Sequence, residues 1–198
     1  MTEALSRGRA SGAMDPGPRD GRHSTHARRT RRRARRWTAD CVDPDPEAYR
    51  IKADEQDEAG AMMLGRLSYE AFAPVWPGMA EEFAAYNAMP KFVVSTSMRS
   101  SDLVDGWGAT TILRSSADVA ELKERDGGPV IIHGSATLVR ALTDAGLIDR
   151  YHLLVFPVLL GAGARLFSVS DKNAQRLRLS ASQAYPNGIQ KLVYDAVH

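Results

Sequence analysis

The chain has a single cysteine, Cys41, among its 198 residues. An intramolecular disulfide and a cysteine-rich metal site are therefore excluded, and we expect no metal centre. No apolar run reaches the roughly 18 residues that a membrane-spanning helix needs, and no apolar segment typical of a secretory leader follows Met1. These absences predict a protein of the cytoplasm that does not enter a membrane.

Basic charge is concentrated at the start of the chain. Residues 1–40 hold eleven arginines and four acidic side chains, whereas the rest of the chain has 15 basic and 20 acidic side chains. Because residues 1–42 are also poor in aliphatic side chains, they cannot offset the entropy of ordering, and we predict that this head is largely disordered. The alternative is an arm that binds nucleic acid through its arginines. It is less favoured because no aromatic platform accompanies them.

Residues 43–198 are predicted to form one domain, since 43% of the chain is hydrophobic and can build one core. Short runs rich in β-branched residues alternate with helical patterns along most of this part. Near the C-terminus, two strand-like runs flank Pro186-Asn187-Gly188, which is typical of a hairpin. The pattern predicts an α/β fold with a mainly parallel central sheet, flanking helices and an antiparallel C-terminal hairpin.

One stretch combines a strand, a tight turn and a helix. Residues 130–133 form a β-branched run that suits a strand buried on both faces, and Gly134 ends it. Ser135 occupies the position of a helix N-cap, and apolar residues then recur at helical spacing up to Leu142. Such a turn directs free N–H groups toward the mouth of a sheet, where phosphate groups are commonly bound. On this stretch alone, an ordinary βα connection is the favoured interpretation.

Two more turns follow strands in the same way. Residues 65–70 come after one predicted strand and open a helix, and Ser95-Thr96 end the next strand. In a parallel sheet, these turns and Gly134-Ser135 would lie along one carboxyl edge, across which a dinucleotide can extend. Residues 161–163, Gly-Ala-Gly, lack the third glycine of a Rossmann fingerprint, so that motif is excluded.

Four segments carry a resemblance to a known family: residues 64–70, 93–96, 132–138 and 156–167. In this order they resemble the dihydrofolate reductase-like superfamily. Within it they are most similar to the C-terminal reductase domain of the bifunctional riboflavin-biosynthesis deaminase–reductase. The resemblance covers the chain from about residue 43. It implies an NADPH-dependent reductase of a pterin- or pyrimidine-like heterocycle, such as 5-amino-6-(5-phosphoribosylamino)uracil.

The same resemblance implies a cofactor site but no identified catalytic residue. The residues that it assigns to NADPH are Gly65, Arg66, Ser68, Ser95, Thr96, Gly134, Ser135, Ala136 and Thr137. Arg66 and Ser68 would lie near the 2′-phosphate or the pyrophosphate. Ser95 and Thr96 would lie near the adenosine half, and the turn that begins at Gly134 would lie under the pyrophosphate.

The head departs from the family pattern. Members of this family begin with an apolar strand that lines the nicotinamide and substrate pocket, and residues 1–42 stand in its place. Burying several unpaired arginines would cost several kcal/mol each, so we expect the head to stay outside the sheet. The sheet would then lack a central strand unless another segment or chain supplies it. Two further expectations follow: a nucleotide-binding relic without turnover as an alternative function, and a homodimer formed through the exposed edge.

Overall fold

The fold is described from a computed structural model of the chain. It covers the backbone of residues 2–6 together with residues 45, 47, 57–81, 83–159, 165–167 and 174–198. Beyond residue 6, the predicted disorder of the head falls outside these described residues, as does the domain boundary near residue 43. Both stay predictions.

Eight strands and four α-helices make up the described part of the chain. The strands are β1 Thr2–Ser6, β2 Ala61–Gly65, β3 Lys91–Val94, β4 Thr110–Leu113, β5 Val130–Ile132, β6 Arg150–Val155, β7 Arg176–Ala184 and β8 Gln190–Val197. The helices are α1 Arg66–Phe72, α2 Ala84–Ala88, α3 Ser116–Lys123 and α4 Ala136–Asp144. Two short 3₁₀ turns occur at Trp76–Gly78 and Ser100–Asp102. No helix in this part is long and apolar enough to cross a membrane.

The strands form one sheet in the order β4-β3-β2-β5-β1-β6-β8-β7. Strands β4, β3, β2 and β5 run parallel to one another and form the parallel half. Strands β6, β8 and β7 pair antiparallel and form the antiparallel half. The predicted α/β fold, with its mainly parallel sheet and its antiparallel C-terminal hairpin, is confirmed.

The start of the chain differs from the expectation that the head contributes no strand. Strand β1 lies between β5 and β6 and pairs antiparallel with both, with Leu5 opposite Ile131 on one side and Arg150 on the other. The cost of burying arginines does not apply to this segment, because the first arginine of the chain is Arg7. Two neighbouring strands with unpaired backbone groups favour any short extended segment that can complete their hydrogen bonds.

The core is concentrated in the parallel half. Met62, Met63 and Leu64 of β2 are fully buried, and every residue of β5 is buried. Strands covered on both faces need continuous apolar runs, and such runs in the sequence therefore predict β2 and β5. Helix α4 buries three apolar residues at helical spacing: Leu138, Val139 and Leu142.

An aromatic cluster holds α1 and the following loop against the sheet. Its members are Tyr69, Phe72, Trp76, Phe83, Tyr86 and Trp107. Trp76 is central: its ring stacks on Phe72 with centroids 4.4 Å apart and on Phe83 at 4.5 Å. Large rings in contact bury much apolar area, so this cluster gives the short helix α1 a rigid base.

One predicted strand segment is not formed as expected. The sequence predicts a strand over residues 151–156 that Pro157 interrupts and that resumes at residues 158–160. Val158 and Leu159 are not in a strand; the Val158 N–H donates to the Phe156 carbonyl in a tight turn at 2.8 Å, and Leu159 is fully exposed. Pro157 lacks a backbone N–H, so the ladder ends there rather than skipping one position. Leu160 lies outside the described residues.

Candidate functional site

Three turns meet at one edge of the parallel half. Strand β2 pairs in parallel with β3, with Gly65 opposite Val94, and with β5, with Met63 opposite Ile132. The residues that follow these strand ends therefore lie on adjacent strands at the same carboxyl edge. The sequence-based expectation of a shared edge is confirmed, and this edge is the candidate site.

The turns after β2 and β5 are joined by direct hydrogen bonds. The backbone N–H of Gly65 donates to Ser135 Oγ at 2.9 Å, and Ser135 Oγ–H donates to Ser68 Oγ at 2.7 Å. A Cβ built on Gly65 would lie 3.4 Å from the same Oγ atom, so the two turns approach closely. Gly65, Ser68 and Ser135, all assigned to the site from the sequence, are thus brought together.

The first turn of α4 lies at the protein surface. Ser135 stands at the N-cap position as expected, but its side chain makes no capping hydrogen bond. Ala136 and Thr137 are exposed to solvent at this end of the helix. The first amides of a helix have no partner within the helix, so this end, with the positive end of the helix dipole, suits an anion.

The turn after β3 is held by its own serine. Ser95 Oγ accepts the N–H of Met98 at 3.0 Å and that of Ser97 at 3.3 Å. Ser95 is buried while Thr96 is exposed. Thr96 is thus the hydroxyl of this pair that solvent can reach, and Ser95 shapes the loop.

Arg66 lies at the first position of α1, where it pairs with an acid on its own helix. Its Nη1 donates to Glu70 Oε1 at 2.8 Å, with both side chains nearly half exposed. Exposed pairs of this spacing contribute little to stability, so the guanidinium can exchange Glu70 for a stronger anion at small cost.

A second arginine, which the sequence patterns do not indicate, lies at this edge. Arg114 follows β4, and its Nη1 donates to the carbonyls of Ser95 at 3.0 Å and Met98 at 2.6 Å. Among the described residues, it forms no ion pair with a carboxylate. Applying the strand-end rule to β4 as well would have found it, but no motif marks the position.

His133 connects β5 to its turn and packs into the aromatic cluster. It is fully buried, directly before Gly134, with its ring edge-on to Tyr86 at 4.6 Å and to Trp76 at 5.9 Å. The aromatic cluster therefore extends to the base of the candidate site. No group of three or more potential metal ligands occurs in the part of the chain that the structure describes.

The buried cation of the parallel half lies away from the candidate site. Lys91 begins β3, at the amino edge, and its Nζ donates to the carbonyls of Met89 at 2.8 Å and Asn87 at 3.0 Å. It also lies 4.8 Å from the centroid of the Trp107 ring. Burial lowers the pKa of Lys91 to about 8. We assign it a structural role because it closes the C-terminal end of α2.

Solved structures with this fold include proteins from two bacteria. A protein from Shewanella sp. PV-4 whose name places it in riboflavin biosynthesis superposes with a TM-score of 0.55, over 81% of this chain and 86% of that one, at 16% identity. A pyrimidine reductase-like protein from Corynebacterium diphtheriae superposes with a TM-score of 0.54, over 78% and 83% of the two chains, also at 16% identity. These likenesses show the fold.

Relatives by sequence include two proteins of Bacillus subtilis (strain 168), both described as uncharacterized. YyaP is 30% identical over 77 residues, which are 39% of this chain and 40% of YyaP. YwjB is 26% identical over 141 residues, covering 70% of this chain and 75% of YwjB. The alignment with YyaP thus spans less than half of that protein.

The comparison with protein families covers more of the chain than either relative. The RibD C-terminal domain matches residues 20–191. This range contains β2 to β7, the aromatic cluster and all three turns of the candidate site. The chain therefore belongs to the RibD C-terminal domain family, a family of reductase type.

Proposed function

We propose that the chain is an NADPH-dependent reductase of a pterin- or pyrimidine-like heterocycle, with 5-amino-6-(5-phosphoribosylamino)uracil as the representative substrate. Family membership supports a reductase. The observation that carries the proposal is the candidate site itself, where hydrogen bonds join the β2 and β5 turns beneath the exposed first turn of α4. This arrangement suits a phosphate-bearing cofactor laid along the edge.

The residues present fit the phosphate and adenosine parts of NADPH. Gly134 leaves room for close approach, because among the described residues a Cβ placed there would meet only Ser68 Oγ, at 3.9 Å. The amides of Ala136 and Thr137 would hold the pyrophosphate, and Thr96 would lie beside the adenosine half. Arg66, with Arg114 added from the structure, would neutralise the 2′-phosphate.

The chemistry would come from the cofactor, and this chain would supply binding and orientation. Bound NADPH offers a hydride to an electron-poor C=N or C=O carbon. Helix α4 and the two serines would fix the cofactor against the sheet, and the buried aromatic cluster would keep water from the base of the site. We assign no proton donor. The carboxylate of Glu70, on the helix that follows β2, is paired with Arg66.

Cofactor preference tests the proposal. Titration of protein fluorescence should show tighter binding of NADPH than of NADH, because only NADPH carries the extra phosphate. Arg66→Ala and Arg114→Ala should each weaken NADPH binding by about 1.5–3 kcal/mol and NADH binding much less. Arg125→Ala is the matched control, since Arg125, just past the C-terminal end of α3, pairs with Glu121 of that helix at the same spacing of four residues. Equal affinity for the two nucleotides would exclude the NADPH assignment.

A binding protein without turnover is the second candidate. Strand β1 fills the position between β5 and β6, but it has only two apolar residues, Ala4 and Leu5, where members of the family have an apolar strand. A family-type first strand in place of residues 1–42 should then raise NADPH oxidation with candidate heterocycles well above the rate of the unmodified chain. If the unmodified chain is as fast as the graft, this second candidate is excluded.

Three other expectations stay part of the proposal. They are a cytoplasmic location, a homodimer and, less favoured, nucleic-acid binding by the arginine-rich head. The homodimer would need a surface other than the gap between β5 and β6, because β1 fills that gap. Salt-dependent retention on DNA that disappears on deletion of residues 7–42 would support the last of these. A single species at monomer mass in sedimentation would exclude the homodimer.

A further inference from the structure

Ser135 has a backbone conformation that serine disfavours. Its φ is 55° and its ψ is 46°, and among the described residues it is the only non-glycine residue with positive φ. Gly134, directly before it, has φ 59°. Glycine adopts this region freely, whereas a side chain at Cβ makes it unfavourable. The residue type that costs least in backbone energy at position 135 is therefore glycine, and the chain has serine.

The Ser135 hydroxyl has a structural task that glycine could not perform. Its oxygen accepts the Gly65 N–H and its proton goes to Ser68 Oγ. Gly65 lies 70 residues earlier in the sequence and Ser68 lies 67 residues earlier. One oxygen atom thus fastens the β5–α4 turn to the β2–α1 turn. This hydroxyl is already engaged, so it is not the group that would contact a ligand.

Ser68 and Ser135 have different roles at this edge of the sheet. The Ser68 hydroxyl accepts a hydrogen bond from Ser135. Its own O–H donates to no described residue, so it can donate to a ligand. Ser135 does not cap α4, so the Ala136 and Thr137 amides are not consumed by it. The side chain that would normally close a helix N-terminus is turned inward instead, and the helix end is left open.

We propose that Ser135 is a positioning residue: its hydroxyl locks the turns after β2 and β5 together and holds the first turn of α4 open toward an anionic phosphate. The inference rests on the proposed function for the identity of that phosphate as the cofactor's. It assigns Ser135 no contact with the cofactor and gives the direct hydroxyl contact to Ser68. The strained backbone is retained because only a side chain at this position reaches both partners.

Hydrogen exchange tests the lock without any cofactor. The Gly65 amide should exchange slowly in the full-length chain and at least roughly tenfold faster in Ser135→Gly and Ser135→Ala, because its acceptor is gone. Ser180→Ala is the matched control, since it removes one serine hydrogen bond, to the Val193 carbonyl at 3.1 Å, in the antiparallel half. Unchanged exchange at Gly65 in Ser135→Gly overturns the inference.

Ligand binding and thermal unfolding separate positioning from a merely structural role. Ser135→Gly relieves backbone strain and should melt no lower than Ser135→Ala, yet both variants should bind NADPH roughly tenfold more weakly than the parent chain. Affinity would then follow the hydroxyl rather than stability. Parent-like NADPH affinity in Ser135→Gly, or an affinity loss that follows melting temperature across the variants, overturns the inference.

Inorganic pyrophosphate keeps this test independent of the proposed function. Its addition should shift the amide resonances of Ala136 and Thr137 in the parent chain and shift them much less in Ser135→Gly. If the parent chain binds pyrophosphate in this way but not NADPH, the proposed cofactor is wrong and the positioning role stands. Equal shifts in the two proteins overturn the positioning role.

Discussion

The parallel and antiparallel halves of the sheet differ in how deeply their strands are buried. In the parallel half, every residue of β5 is buried and β2 carries three fully buried apolar side chains. In the antiparallel half, all nine residues of β7 are exposed, with Leu179 half exposed. All four described helices come between or directly after strands of the parallel half, and no described helix follows β6 or β7. Covering helices thus account for the difference.

The core and the candidate site both lie in the parallel half, whereas the antiparallel half is held by polar pairs at the surface. Helices that cover the parallel half also bring their N-termini to its carboxyl edge, so the core and the candidate site are products of the same connections. The antiparallel half is joined instead by a short hairpin and by polar pairs, with Asp195 of β8 contacting Arg150 and Arg178. Substitutions should therefore have unequal effects in the two halves.

The largest loss should follow a cavity in the parallel half. Ile132→Ala removes a fully buried side chain from β5, directly before His133 and the site turn. We expect the free energy of unfolding to fall by about 2–5 kcal/mol, measured by denaturant unfolding. A loss below about 1 kcal/mol would show that the parallel half is not the main source of stability.

The second effect comes from the buried cation of the parallel half. The pKa of Lys91 is lowered to about 8 from 10.5, so between these values the unfolded chain binds the proton more strongly than the folded chain. The stability of the parent chain relative to Lys91→Met should therefore rise from pH 8 to pH 10.5, by up to about 3 kcal/mol. Parallel stability curves for the two proteins across this range would contradict a buried charge at position 91.

The third effect lies in the antiparallel half, where the charged form of a side chain is stabilised by the fold, whereas burial destabilises the charged form of Lys91. Hydrogen bonds from Arg150, at 2.5 Å, and from Arg178, at 3.2 Å, hold the pKa of Asp195 below its ordinary value of 3.8. Asp195→Asn should cost about 1 kcal/mol at pH 7, and this cost should vanish as the pH falls below 3.8 through the lowered pKa. Chemical unfolding at several pH values measures it, and a cost that persists at the acid end would exclude an ionic origin.

The smallest effect should come from the exposed edge strand. Leu179→Ala changes a residue of β7 that is 51% exposed, so we expect a change within about 0.5 kcal/mol. The same denaturant experiment as for Ile132→Ala provides the direct comparison. A loss similar to that of Ile132→Ala would show that a partner covers this strand in solution.

Much of the fold was predictable from local patterns. The β-branched run at residues 130–132, the apolar spacing of α4 and the hairpin signal around Asn187 each correspond to an element of the structure. The sequence predicts a helix that begins at Ser115 or Ser116, and in the structure Ser115 caps α3, with its Oγ accepting the Asp118 N–H at 3.2 Å. These features depend on neighbours within a few residues, so a short stretch of sequence is enough to predict each of them.

The α/β fold, the parallel half and the three strand-end turns of the candidate site can be predicted from the amino-acid sequence. Three features become evident only in the folded chain: Ser135 bonds to Gly65 and Ser68 instead of capping α4, Arg114 reaches the Ser95 loop, and Thr2–Ser6 fills the gap between β5 and β6. Local patterns arise from side-chain periodicity and turn chemistry. Contacts between residues about 70 positions apart depend on which backbone groups the assembled sheet leaves unpaired, and no short stretch of sequence records that.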